Sequence, residues 1–246
     1  SGDRAEIRTL PESSTAWSKI DARREMCTGQ KCPQFERCFI TLMHQRSHVS
    51  DIVIVNHHLF FATLSVKEDD FGGVLPEYTA VIFDEAHEIE DVAGQYFGVS
   101  VSTYQLAEFT RDVAVVAARK EFGSRELDVV LAGVGDAALR FFALFPGQEG
   151  RAAFQGQEAL LENHEEEYRD LLRALEVVRS HLQMVETAPE EVIPLVRRTR
   201  DLAGAVQFWM ESGDRTFVYW VERRGRGCFL QATPIDVAPL LSEKLF

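Results

Sequence analysis

The sequence predicts an α/β fold into which a mainly helical segment is inserted, and three observations carry that prediction. Two short β-branched runs, Asp51-Ile52-Val53-Ile54-Val55-Asn56 and Ala80-Val81-Ile82-Phe83, have the composition of buried parallel strands and are separated by a helix-length stretch, as in a βαβ unit. From about Thr103 the pattern changes to helical spacing, as in Leu160, Leu161, His164, Tyr168, Leu171, Leu172, Leu175, Val178 and Leu182. Strand-like runs then return at Thr216 to Glu222 and Cys228 to Ile235, on either side of the turn Arg223-Arg224-Gly225-Arg226-Gly227.

The elements follow in order. Ser1 to Ser14 is a polar connection, and Thr15 to Met26 and Gln34 to His48 are expected helices flanking the Cys27 to Pro33 loop. After the first strand, Val66 to Glu77 holds Glu68-Asp69-Asp70 and Gly72-Gly73 and is expected to be a solvated loop. Helices are predicted at Tyr104 to Phe122, Glu126 to Phe145, Gln157 to Glu186 and Pro189 to Glu211, separated by Pro146-Gly147, Gly156 and Ala188-Pro189. Pro189 followed by Glu190 and Glu191 is a sound helix start, and Pro239 to Phe246 is a last helix. No internal repeat or low-complexity tract is present.

Asp84-Glu85-Ala86-His87 follows the second strand directly, where a buried strand delivers acids to the rim of a site. In nucleotide hydrolysis one carboxylate holds Mg²⁺, usually through water because that ion dehydrates reluctantly, and a second orients the attacking water. Asp84 and Glu85 suit these two roles. The alternative is that the four residues simply cap a helix running from Glu85 to Val92, where the dipole favours acids. Glu88, Glu90 and Asp91 continue the acidic run as a solvated helix face.

Three cysteines, Cys27, Cys32 and Cys38, form C-x4-C-x5-C. A secreted disulfide framework is disfavoured, since the cluster is odd in number, the chain has 4 cysteines and no signal peptide is visible. Zinc is one candidate, with His44 completing a tetrahedral set, although the spacing departs from the common tight knuckles. An iron-sulfur cubane is the other, because its separated iron corners accept wider ligand spacing. Cys228 lies far away in a strand-like run and reads as a buried thiol.

The order of this cysteine group, the Asp51 to Leu59 stretch with Asn56-His57-His58, and the DEAH tetrapeptide resembles the XPD family of iron-sulfur superfamily 2 DNA helicases, most closely its DinG-like branch. The resemblance is strong over roughly residues 1 to 100 and weak over the last twenty or so. It implies part of a RecA-like P-loop motor domain with a cysteine-rich cluster insertion and a helical arch insertion. On that basis residues 1–50 are a partial iron-sulfur domain, 51–102 a motor segment, 103–222 the arch and 223–246 a return to the motor. Implied ligands are ATP and Mg²⁺ at Asp84 and a 4Fe-4S cluster at Cys27, Cys32 and Cys38, with a fourth ligand expected upstream of Ser1. Glu85 would be the catalytic base, and His87 would couple the nucleotide site to DNA. The implied partners are single-stranded and forked duplex DNA, and the implied setting is DNA repair or replication conflicts in the cytoplasm.

There is no G-x-x-x-x-G-K-[ST] in the 246 residues, so this stretch alone is expected not to hydrolyse ATP. Net charge is −13, which argues against a wrapping phosphate binder and requires any DNA contact to use local basic strips. Arg23, Arg24, Lys31 and Arg37 beside the cysteines form one such strip, or else offset Asp21, Glu25 and Glu36. Arg197, Arg198 and Arg200 near Phe208 and Trp209, and Arg223, Arg224 and Arg226 near Tyr219 and Trp220, also combine cations with aromatics. Of these, Trp209 is expected in a core and the Arg223 to Arg226 turn at the surface. His57 and His58 either contact nucleic acid or the cluster domain, or are satisfied structural histidines. The alternative function is a zinc-stabilised helical module that docks a protein partner. No apolar run is long enough to span a membrane.

Overall fold

Cys38 interrupts what the sequence suggests is one helix from Gln34 to His48. Its backbone is extended (φ −66°, ψ 129°), which ends the 3-10 turn Phe35–Arg37 and makes Cys38 the N-terminal flank of α1 (Phe39–His48). The second helix, α2 (His57–Ser65), starts at Asn56, whose Oδ1 accepts the Leu59 N–H at 2.7 Å. An asparagine three residues before that amide is a strong cap. The structure is a computed structural model and describes residues 6–7, 9–11, 14, 16–17, 29–65, 75–185 and 189–245. Most of the expected Thr15 to Met26 helix and of the Val66 to Glu77 loop lies outside these residues. The chain divides into two compact units, Ser1–Ala86 and His87–Phe246.

In the first unit Trp17, Phe60 and Phe61 are buried, and the Trp17 indole N–H donates to the Pro11 carbonyl at 2.8 Å. The two expected parallel strands are a correction: 51–56 and 80–83 pair with nothing among the described residues, and Ile52, Ile54 and Ile82 are 80%, 93% and 96% exposed. β-branched composition marks fitness for a pleated, half-buried surface, and it yields a strand only where a neighbouring backbone supplies the ladder. The expected parallel βαβ unit is therefore absent from the described residues.

The second unit holds α3 (Ile89–Phe97), β1 (Val99–Ser102), α4 (Thr103–Arg119), α5 (Arg125–Ala143), β2 (Gly150–Ala153), α6 (Gln157–Asn163), α7 (Glu165–Gln183), α8 (Val192–Glu211), β3 (Phe217–Arg224), β4 (Gly227–Pro234) and α9 (Ala238–Leu245). Ser102 and Ser124 cap α4 and α5, their hydroxyls accepting the Gln105 and Leu127 N–H at 3.2 and 3.1 Å. The expected Gln157 to Glu186 helix is two, broken at His164. α8 starts at Val192, later than the Pro189 signal, and Pro194 is tolerated in its first turn, where the N–H would lack an intrahelical acceptor. Leu171, Leu175, Val178 and Leu182 of α7 are fully buried, as their spacing requires.

The sheet is antiparallel, in the order β1-β4-β3-β2. Leu230 at its centre stands opposite both Val101 and Val221, and all three are buried with Cys228. Burial pushes the Cys228 thiol up, as befits an inert core thiol. Trp209 of α8 is fully buried and donates its indole N–H to the Gln231 carbonyl at 3.0 Å, tying helix to sheet. The described residues thus form a mixed α/β fold, with most of the described helices in the second unit.

Glu191, 7% exposed, joins the start of α8 to the end of α4 through Lys120 at 2.6 Å and Arg119 at 3.5 Å. Lys120 first, with Arg119 adding to it, holds this carboxyl below the usual carboxylate range. A lowered folded-state pKa stabilises the fold above the ordinary carboxylate pKa, and that contribution disappears as pH falls through the folded value. Glu191→Gln is therefore expected to cost about 1 kcal/mol at neutral pH. The gap between the melting curves of the two proteins should close on acidification; a gap that persists there would contradict the ion-pair assignment.

Candidate functional site

Phe83 anchors the acidic tetrapeptide. Its ring lies edge-on to Phe60 (centroids 5.2 Å apart) and stacked on Phe61 (6.2 Å) and His57 (6.0 Å), so α2 holds the segment that ends in Asp84. His57 is thereby placed against an aromatic ring, while His58 is exposed. Asp84 and Glu85 are both exposed, and Asp84 Oδ1 accepts the Glu85 N–H at 3.0 Å.

Glu85 has φ 47°, in the left-handed region that a side chain with a Cβ rarely adopts. Among the described residues two other non-glycine residues share this, Glu121 and Ser212, and both sit just past a helix C-terminus where such a turn is the usual stop. Glu85 instead precedes a helix. Strain of roughly 1–3 kcal/mol without a capping explanation is characteristic of functional turns. α3 begins at Ile89 after the 3-10 turn Ala86–Glu88, later than the expected start at Glu85, and its flanking Glu88 makes no side-chain capping hydrogen bond. The division between the two units falls inside the tetrapeptide, and His87 belongs to the second, where it is exposed. Two adjacent exposed carboxylates fit a hydrated Mg²⁺, a hard cation that takes oxygen ligands and keeps its waters.

Among the predicted thiols Cys27 lies outside the described residues, as do Arg23 and Arg24. Cys32 and Cys38 are free and half-buried. The Thr41 N–H lowers the Cys38 thiol from its ordinary value, opposed in part by burial and assisted by the Ile40 N–H and the Thr41 hydroxyl. The donating groups belong to the first turn of α1, which Cys38 flanks. A thiolate is the form that ligates iron, and Cys38 fits a cluster in this respect. Among the described residues no three His, Cys, Asp or Glu side chains converge on one metal ion, so Cys32, Cys38 and His44 are not gathered as a zinc set. Lys31 and Arg37 are exposed on the 3-10 turns next to these cysteines.

The other cation-aromatic groups separate clearly. Arg198 is committed to Asp112 at 2.7 Å and Glu108 at 3.6 Å, bracing α8 on α4. Arg223 donates to the Phe142, Phe145 and Pro146 carbonyls at 2.8, 3.0 and 2.9 Å and so caps the end of α5. Arg224 pairs with Glu222 at 2.6 Å, and Arg226 is exposed. Sequence reasoning missed Arg151, whose guanidinium lies 3.8 Å above the Trp220 ring. It sits in β2, a Gly-Arg-Ala-Ala strand with no alternating pattern to announce it. Among the described residues no helix is long and apolar enough to cross a membrane.

No protein-family model matches the chain. It is similar to proteins named ATP-dependent DNA helicase YoaA: 31% identical over 251 residues to that of Escherichia coli, and 28% over 249 residues to that of Haemophilus influenzae. These alignments cover 98% and 99% of the chain and 38% of each relative. A protein named ATP-dependent helicase DinG from Mycobacterium tuberculosis is 29% identical over 121 residues, 49% of the chain and 16% of the relative. The chain spans well under half the length of the relatives it matches. The chain is thus homologous to part of the longer proteins named ATP-dependent DNA helicase YoaA and ATP-dependent helicase DinG.

Proposed function

We propose that these residues are part of an ATP-dependent DNA helicase that couples ATP hydrolysis to movement along single-stranded DNA and to separation of a forked duplex. The observation that carries this reading is the Asp84-Glu85 pair, two exposed carboxylates in a strained turn anchored by Phe83. It lies in a chain that aligns over 98% of its length with a protein named ATP-dependent DNA helicase YoaA. Asp84 would hold Mg²⁺, which neutralises developing phosphate charge when bound. Glu85 orients and deprotonates the attacking water, and His87 passes the state of the nucleotide site toward DNA. The phosphate-cradling Gly-Lys loop would come from another part of the polypeptide, since none is present here.

In the same reading residues 1–50 form the cluster domain, 51–102 and 223–246 belong to the motor, and 103–222 form the arch. Cys27, Cys32 and Cys38 would hold a 4Fe-4S cluster with a fourth cysteine from upstream, and Arg23, Arg24, Lys31 and Arg37 would line the DNA passage beside it. The setting is cytoplasmic DNA repair.

The test uses the full-length polypeptide that carries these residues, prepared without oxygen. Iron and acid-labile sulfide are expected in cluster stoichiometry, and Cys32→Ser should lose both together with duplex unwinding. Stoichiometric zinc without iron or sulfide would overturn the cluster and favour the zinc-stabilised interaction module.

A further inference from the structure

We propose that the outer face of the four-stranded sheet binds unpaired DNA, with Tyr104, Phe229 and Trp220 stacking bases, Arg151 and Arg224 contacting phosphates, and Glu222 accepting the amino group of a base. This rests on the helicase reading above and names a binding surface within it.

Side chains alternate along β3, so Val221 faces the helical core while Val218, Trp220, Glu222 and Arg224 face the other side. Opposite these, β4 presents Thr233, Gln231, Phe229 and Gly227 on the same face. The Thr233 end is closely covered by Gly94 of α3, where an added Cβ would come 3.1 Å from the threonine methyl, whereas Arg224 at the other end of β3 is exposed. Tyr104 is 53% exposed, and its ring lies over Gly227, where any Cβ would collide with it. Its centroid is 5.8 Å from that of Phe229. Further along the face, Arg151 covers Trp220 at 3.8 Å while its own side chain stays 61% exposed. Aromatic rings held at a sheet surface beside guanidinium groups are what single-stranded nucleic acid binds, because every base offers a π-face and every linkage a phosphate.

Glu222 is the second, independent observation. It is 8% exposed, and its Oε1 accepts from Arg224 at 2.6 Å. Its Oε2 is buried, receives no hydrogen bond among the described residues, and has only a long ion pair with Arg151 at 3.9 Å. Buried acceptors are ordinarily satisfied, so this oxygen points to a donor that arrives with a ligand. A base amino group supplies one, as cytosine N4 does to a carboxylate. Thymine flanks its single N–H with two carbonyl oxygens and fits less well. Charge complements the assignment: Arg151, Arg224 and Arg226 stand on or beside this face against Glu222 and Glu149, the latter accepting the Gly225 N–H. A locally cationic strip is what a chain of net charge −13 needs in order to hold phosphates.

The experiment measures binding of fluorescein-labelled dC and dT oligonucleotides of equal length to the full-length polypeptide by anisotropy, alongside DNA-stimulated ATP hydrolysis. Tyr104→Ala and Arg151→Glu, both at exposed positions, are each expected to weaken binding by about tenfold. Glu222→Gln should retain dT binding and lose a preference for dC that the wild type shows. Wild-type binding with both surface variants within about twofold of it would overturn the platform and leave the helicase reading standing. Equal wild-type affinity for dC and dT would remove Glu222 from the assignment. Absence of both DNA binding and DNA-stimulated hydrolysis in the wild type would instead overturn the helicase reading, and the platform with it.

Discussion

Glu85→Gln in the full-length polypeptide is expected to lower DNA-stimulated ATP hydrolysis by about 100-fold or more, the usual contribution of a positioned general base. The substitution keeps the size and planarity of the side chain and removes the group that takes the proton from water. Nucleotide and DNA binding should be largely retained, because Asp84 remains in place and no phosphate contact is assigned to Glu85. The positive φ of Glu85 should persist, since glutamine meets the same backbone restriction. Near-normal hydrolysis by this variant would reduce the tetrapeptide to a structural turn.

Trp209→Ala is expected to destabilise the second unit by about 3–5 kcal/mol, the range for deleting a large buried aromatic side chain. Trp209 packs against Phe145 at 5.3 Å, Phe154 at 5.4 Å and Tyr219 at 6.4 Å between ring centroids, so its removal opens the contact between α8 and the sheet. It also leaves the Gln231 carbonyl without its indole donor. Trp209→Phe should cost clearly less, because it refills most of the volume and loses only that bond. Denaturant titration of the two variants separates packing from hydrogen bonding. Equal small losses would mean that the helix-sheet contact bears little of the stability.

The helices of the second unit were legible because each buries one stripe, and a stripe leaves a period: Leu171, Leu175, Val178 and Leu182 are all fully buried. Their ends were less so. Nothing in the apolar pattern announces the break at His164, which depends on how α6 and α7 pack rather than on a proline or glycine. The hairpin of β3 and β4 was readable from aromatic and β-branched runs around Gly225, whose φ of 54° a glycine adopts freely. β2 was not readable, since a short exposed edge strand takes its conformation from the neighbour it pairs with. The opposite error occurred at 51–56 and 80–83, where strand composition was present and pairing was not.

For the candidate site, the carboxylates and thiols were legible as residue types at a spacing, which is chemistry written locally. Their supports were not. That Phe83 rests on α2, that Asn56 caps that helix, and that Arg223 serves the carbonyls of α5 all depend on which segments meet. The Asn56 cap had a signal that could have been used, an asparagine just before an apolar stretch. The pairing of Arg151 with Trp220 and Glu222 had none, because it spans about 70 residues of sequence and is set by the register of β2 on β3.

Strand separation tests the central claim most directly. The full-length polypeptide, given ATP and Mg²⁺, should release the labelled strand of a forked duplex, fail to do so without ATP, and fail with ATP when Glu85 is glutamine. An active preparation that binds the fork but neither hydrolyses ATP in response to DNA nor releases the strand would contradict the account.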